Sequence, residues 1–181
     1  TLYNEAGDSA EISVVGAQKD ADMTSCFTFR TRKGHEEIPF DDSSVILTEK
    51  TALNLGVKVG DTLYVESTDG RRVPVTLTGI TENYMFTRLY LSNAQLKSYL
   101  DSEPVWNTIY GLTHCKNDTE YNALRARLLE CSYVSGVSFT EDTNSMFDNL
   151  IVSLNSVVVL IIVCAAALAA VVLYNLISVN L

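Results

Sequence analysis

The sequence predicts an α+β chain: a β-rich lobe with short helices over residues 1–104, a β-α-β lobe over 105–141, and a long C-terminal helix over 142–181. Three observations predict it. Short runs of alternating apolar and polar residues, broken by Gly, Pro and Asp, fill the first hundred residues, as half-buried strands require. A strand pattern, a helical pattern and a second strand pattern then follow within a span that suits a parallel crossover. Finally, the last charge is Asp148, and Val157–Leu173 is an unbroken run of 17 Val, Leu, Ile, Ala and Cys residues.

The elements follow in chain order. Ile12–Val15 reads as a strand, and Asp20–Met23 as a turn or short helical piece. Phe27 and Phe29 alternate with Thr28 and Arg30, which predicts a half-buried strand over Cys26–Arg32. Lys33–Asp42, with Gly34 and Pro39, is a loop or hairpin connection. Ser44–Leu47 is a short apolar strand. Thr48 then reads as an N-cap and Glu49 favours the first turn of a helix that stops at Gly56. Gly60-Asp61 launches a strand, Asp69-Gly70 turns it, and Arg72–Ile80 returns with Val73, Val75 and Leu77 on one face. Arg88–Leu91 is a further strand, and Ser92 or Asn93 caps a helix through Tyr99. In the second lobe Thr108–Thr113 and Val134–Phe139 are the strands. Between them, Asp118 caps a helix carrying Tyr121, Leu124, Leu128 and Leu129 at helical spacing. From Thr143 a helix runs on without Gly or Pro into the apolar segment, so the connection is rigid and able to transmit motion.

A bilayer core of ~30 Å takes roughly 20 apolar helical residues, and about 151–177 supplies them. The central turns have no polar face, which argues against a helix lying on a membrane surface. Lys and Arg mark cytoplasmic flanks, and none lies between Arg127 and the span. Residues 1–150 are therefore expected on the extracytoplasmic side of the cell membrane. Both ends of the chain, Thr1 and Leu181, read as cuts from a larger membrane protein. Ala165/Ala169 and Ala166/Ala170 have the small-xxx-small spacing that lets helix backbones approach, which points to neighbouring membrane helices.

Composition narrows the function. The 181 residues hold 13 Lys and Arg against 22 Asp and Glu, a net charge of -9. That balance opposes nucleic acid and anionic lipid, both of which need basic clusters. Cys26, Cys115, Cys131 and Cys164 have no CxxC or metal spacing, and neither they nor His35 and His114 suggest a metal or cofactor site. Cys115 and Cys131 flank one helix and are the pair that an oxidising compartment would join, although a helix of ~18 Å would hold its two ends apart. Asn117-Asp118-Thr119 is a glycosylation sequon by pattern. No nucleophile elbow, Gly-rich phosphate loop or HExxH is present. Glu36-Glu37 and Asp41-Asp42 read as solvated loop charges, while Tyr84, Phe86, Tyr90 and Trp106 are packing residues or the lining of an exposed groove. The expectation is a protein without catalytic residues.

Two segments resemble a known family. Ser44-Val45-Ile46-Leu47-Thr48-Glu49-Lys50-Thr51-Ala52, then Leu55-Gly56-Val57-Lys58-Val59-Gly60-Asp61 and Thr78-Gly79-Ile80-Thr81-Glu82-Asn83-Tyr84, resemble the extracytoplasmic domain of FtsX/MacB-type ABC-transporter permeases. The helix end, with Tyr174, Asn175, Leu176 and Asn180, is similar to the close of the membrane helix that follows that domain. The resemblance covers about residues 43–181. It implies a porter-like β-α-β lobe whose other half would precede Thr1, an inserted β-rich lobe, and a separate cytoplasmic ABC ATPase. It also implies that the C-terminal helix acts as a lever to an external cargo or partner protein, with no catalytic residue in the permease. The rival reading is a single-pass, membrane-anchored binding or sensor domain. A membrane-tethered enzyme with an unrecognised β-barrel site is the third.

Overall fold

A computed structural model describes residues 1–67, 70–83, 86–100 and 104–179. It is α+β, with two sheets, short helices and a long apolar C-terminal helix. The chain packs as two units, Thr1–Leu112 and Thr113–Leu181.

The first unit holds both sheets. One is antiparallel throughout, in the order β2 (Ser9–Ala10), β1 (Leu2–Tyr3), β5 (Thr62–Glu66), β6 (Arg72–Thr76). The other is mixed, in the order β3 (Ser13–Gly16), β8 (Arg88–Leu91), β4 (Val45–Thr48), β7 (Gly79–Thr81). In it β3 runs parallel to β8 and β7 parallel to β4, while β4 and β8 are antiparallel. The main core joins Leu2, Leu63, Val65 and Val75 from the first sheet to Val45, Leu47, Leu89 and Leu91 from the second. The alternate residues Ile46 and Tyr90 enter a second cluster with Ala17, Met23 and Phe29. Both faces of β4 are thus covered, which is why Val45–Leu47 reads as a continuous apolar run and not as an alternation.

Helix α1 (Glu49–Leu55) ends at Gly56, whose φ of 65° is left-handed. The Gly56 N–H bonds the Leu53 carbonyl and the Val57 N–H bonds the Ala52 carbonyl, closing the last turn. Thr48 precedes the helix as expected, but its hydroxyl does not cap it; it meets the Thr51 hydroxyl at 3.0 Å inside the core. Helix α2 (Asn93–Leu100) is capped by Ser92, whose Oγ accepts from the Gln95 N–H. It packs so closely on β3 that a Cβ at Gly16 would lie 2.2 Å from Leu96 Cδ2.

Two expected strands differ. Cys26–Arg32 makes only an isolated bridge, Arg30 to Glu37, because Phe27 and Phe29 are held by ring packing on Tyr90 and Phe40 instead of by a ladder. Arg72–Ile80 is two strands, since Leu77 and Thr78 carry the chain from one sheet to the other. The Asp69 half of the Asp69-Gly70 turn lies outside the described residues.

The second unit contains α3 (Asp118–Leu129) and α4 (Thr140–Val179). The β-α-β lobe is corrected here: its helix forms, but neither Thr108–Thr113 nor Val134–Phe139 is a strand. A strand is a property of a pair, and no described segment lies beside either one to complete a ladder. Within Thr108–Thr113, Ile109 is 97% and Leu112 76% exposed, while Tyr110 packs edge-on against Phe27; Val134, Val137 and Phe139 of the other segment are half-buried.

Candidate membrane helix and its coupling joint

Helix α4 has 40 residues, so at about 1.5 Å per residue it is roughly 60 Å long. That is about twice the hydrocarbon thickness of a bilayer. Its apolar part is long enough to cross a membrane, with a mean hydropathy of 3.1 and none of that stretch buried. It starts three residues earlier than the sequence suggested, at Thr140. The reason is a half capping box. Asp142, in the third helical position, reaches back so that Oδ2 accepts from the Phe139 N–H at 2.9 Å.

The same carboxylate makes a second contact. Arg125 of α3 donates through Nη2 to both Asp142 oxygens at 2.6 Å. Its other arm donates to Asn122 Oδ1. The guanidinium also lies 5.2 Å from the centre of the Phe139 ring, which Tyr121 meets at 5.0 Å. Four residues thus join α3 to the first turn of α4. The Phe139 N–H and then Arg125 hold the Asp142 carboxyl below its ordinary value, so it is charged throughout the neutral range. Helix α3 is itself firmly begun. Its cap is Asn117, one residue before the Asp118 expected, and Asn117 Oδ1 accepts from the Glu120 N–H while Glu120 accepts from Asn117 Nδ2 and the Lys116 N–H.

This joint is not apparent from sequence alone. Arg125 and Asp142 are 17 residues apart, beyond any helical spacing. The one local signal was Asp142 in the first turn of a helix beginning at Thr140.

The residues singled out by sequence are placed as follows. Ala165, Ala166, Ala169 and Ala170 are exposed near the middle of the apolar stretch. At about 100° per residue, Ala165 and Ala169 share one face and Ala166 and Ala170 another, so they are two contact faces and not one. Tyr174, Asn175 and Leu176 are exposed on the last turns, and Asn180 lies outside the described residues. Among the described residues, Tyr90, Phe86 and Trp106 do not assemble into an aromatic groove. Tyr90 is in the second core, Phe86 lies under Arg88, Trp106 is half-exposed and Tyr84 is outside the described residues. Asp41 is a turn residue, accepting from the Ser43 N–H and hydroxyl, which hold its carboxyl below the usual range. The four cysteines are free thiols.

Comparison with protein-family models, with curated proteins and with solved structures finds no match for this chain.

Proposed function

We propose that this chain is the extracytoplasmic domain and following transmembrane helix of an FtsX/MacB-like ABC-transporter permease in a cell membrane. On this reading residues 1–150 lie outside, bind a cargo or partner protein, and are driven mechanically by a cytoplasmic ABC ATPase. The chain carries no bond-making chemistry of its own. Its membrane partners are other helices of the same or a second permease, approached through Ala165/Ala169 and Ala166/Ala170.

The observation that carries the reading is α4. A continuous helix of 40 residues starts at a pinned joint with α3 and runs without Gly or Pro to the end of the apolar stretch. A tether needs no such stiffness, whereas a lever does. The unpaired, strand-patterned segments on either side of α3 add support. They fit half of a porter-like lobe.

Reading the native gene beyond the Leu181 codon tests the proposal. A charged stretch followed by further apolar spans is expected. A stop codon within a few residues would replace the permease with a single-pass anchored binding or sensor domain.

A further inference from the structure

The two sheets of the first unit have four edges, and three of them are closed to further pairing. β2 is only two residues long. β6 carries Arg72 and Pro74, and a proline has no N–H to offer a neighbour. The end of β7 is occupied by Arg30, whose N–H bonds the Thr81 hydroxyl and whose carbonyl accepts from the Glu82 N–H. β3 has none of these protections, and from Ile12 to Gln18 there is neither a charge nor a proline. The Ser13 and Ala17 N–H groups bond the Thr87 and Leu91 carbonyls, on the β8 side. The two-residue period of a strand puts Val15 on that side too, and turns the N–H and C=O of Val14 and Gly16 the other way. Among the described residues nothing bonds those four groups. Val14 and Gly16 are only half-buried, so the edge is open to a further strand.

This edge is complementary to itself. When two copies run antiparallel with Val15 on the twofold axis, Val14 of each lies opposite Gly16 of the other and exchanges both backbone bonds with it. Ser13 then lies opposite Ala17. Just beyond the strand, Glu11 falls opposite Lys19, once on each side of the axis. Both side chains are exposed, and neither has an ion-pair partner among the described residues. Registers slipped by two residues lose this match. One sets Glu11 against Ala17 and Lys19 against Ser9; the other sets Glu11 against Ala21 and Lys19 against Ser13.

We propose that β3 is a contact between two copies of this chain, paired antiparallel with Val15 on the axis, so that the two mixed four-stranded sheets become one continuous sheet. The backbone groups of Val14 and Gly16 supply the bonds, and the two Glu11–Lys19 pairs fix the register. The contact stands apart from the permease reading, which neither requires it nor falls with it.

The test is disulfide formation in the full protein, kept in its native membrane with Cys26, Cys115, Cys131 and Cys164 replaced by Ser. Facing residues that exchange no backbone bonds have Cα atoms about 4.5 Å apart, within disulfide reach. Val15→Cys should therefore give a chain-to-chain disulfide in most of the protein under mild oxidation, while Thr76→Cys, exposed on the edge of β6, gives none. Glu11→Lys or Lys19→Glu alone should lower the Val15→Cys yield several-fold. The two together should restore it, since the exchanged charges again face each other. If Val15→Cys folds poorly, a spin label at the exposed Ser13→Cys reads the same contact, because an offset of four residues places the two labelled Cα atoms about 14 Å apart. Absence of both the disulfide and the coupling between labels would overturn the proposal. So would a yield indifferent to the charge exchange, or amide protection of Val14 and Gly16 in a chain that does not couple to itself, which would give the edge to another protein's strand. Co-purification of an ATPase bears on the permease reading alone.

Discussion

Replacing one central residue of the apolar stretch with a charge tests the membrane assignment quantitatively. Val157–Leu173 contains eleven Val, Leu and Ile residues. At roughly -0.3 to -0.6 kcal/mol each, they favour insertion by about 3–7 kcal/mol, before the smaller contributions of Ala and Cys. An Arg at the centre of a span costs roughly 2.5–3.5 kcal/mol. Ala166→Arg therefore consumes about half of the driving force and leaves the helix largely inserted. Ile162→Arg together with Ala166→Arg costs about 5–7 kcal/mol, which cancels it. The assay is resistance to alkaline carbonate extraction, scored with the native chain and both variants expressed alike. The native chain and Ala166→Arg are expected mainly in the membrane pellet, and the double variant mainly in the supernatant. If the double variant stays in the pellet, or the native chain is extracted, α4 is not held by a hydrophobic span and the reasoning fails.

Three further outcomes follow from the packing and the joint. Leu47 is fully buried between the two sheets, so Leu47→Ala should cost about 2–5 kcal/mol and lower the thermal midpoint of the first unit by roughly 10 °C or more; an unchanged midpoint in detergent would contradict the assigned core. Arg125→Glu should free α3 from α4, raising amide exchange of residues 130–139 several-fold while the exchange of β4 and β8 stays as in the native chain; unchanged exchange would show that the joint holds nothing. The Asp142 carboxyl is lowered in the folded chain by the Phe139 N–H and Arg125. A depressed carboxylate stabilises fully above its ordinary pKa, near 4, and loses that contribution as pH falls through the folded value. Protection of the joint amides, their exchange taken relative to the intrinsic rate at each pH, should thus be flat from neutral pH down to about pH 5 and fall only below about 4; loss of protection already at pH 6 would refute the assignment to Asp142.

How much was legible depends on the range of the interaction that decides each element. Helix α4 is written in composition alone, since no polar residue interrupts Val157–Leu173. Helix α1 was readable because Gly56 supplies the left-handed residue that closes it. The β5–β6 pair was readable because alternation and a turn fall within a few residues of each other. Strands that need a distant partner were not. Cys26–Arg32 has a strand's alternation, yet its phenylalanines are used for ring packing. Thr108–Thr113 and Val134–Phe139 have strand patterns but no neighbour among the described residues. At the joint, the pattern found α3 and α4, missing their starts by one and three residues, and gave no hint that Arg125 closes on Asp142. Side-chain pairing across 17 residues depends on how the helices cross.

The central claim is that a stiff helix connects an external domain to an ATP-driven machine. Purification of the intact protein from its native membrane in mild detergent, followed by ATPase assay of the co-purifying material, tests it most directly. The account predicts a stoichiometric nucleotide-binding subunit whose ATP turnover changes when a Gly-Pro pair replaces Asn149 and Leu150, breaking α4 outside the span. Recovery of the protein with no ATPase, or with one whose turnover is indifferent to that break, would contradict it.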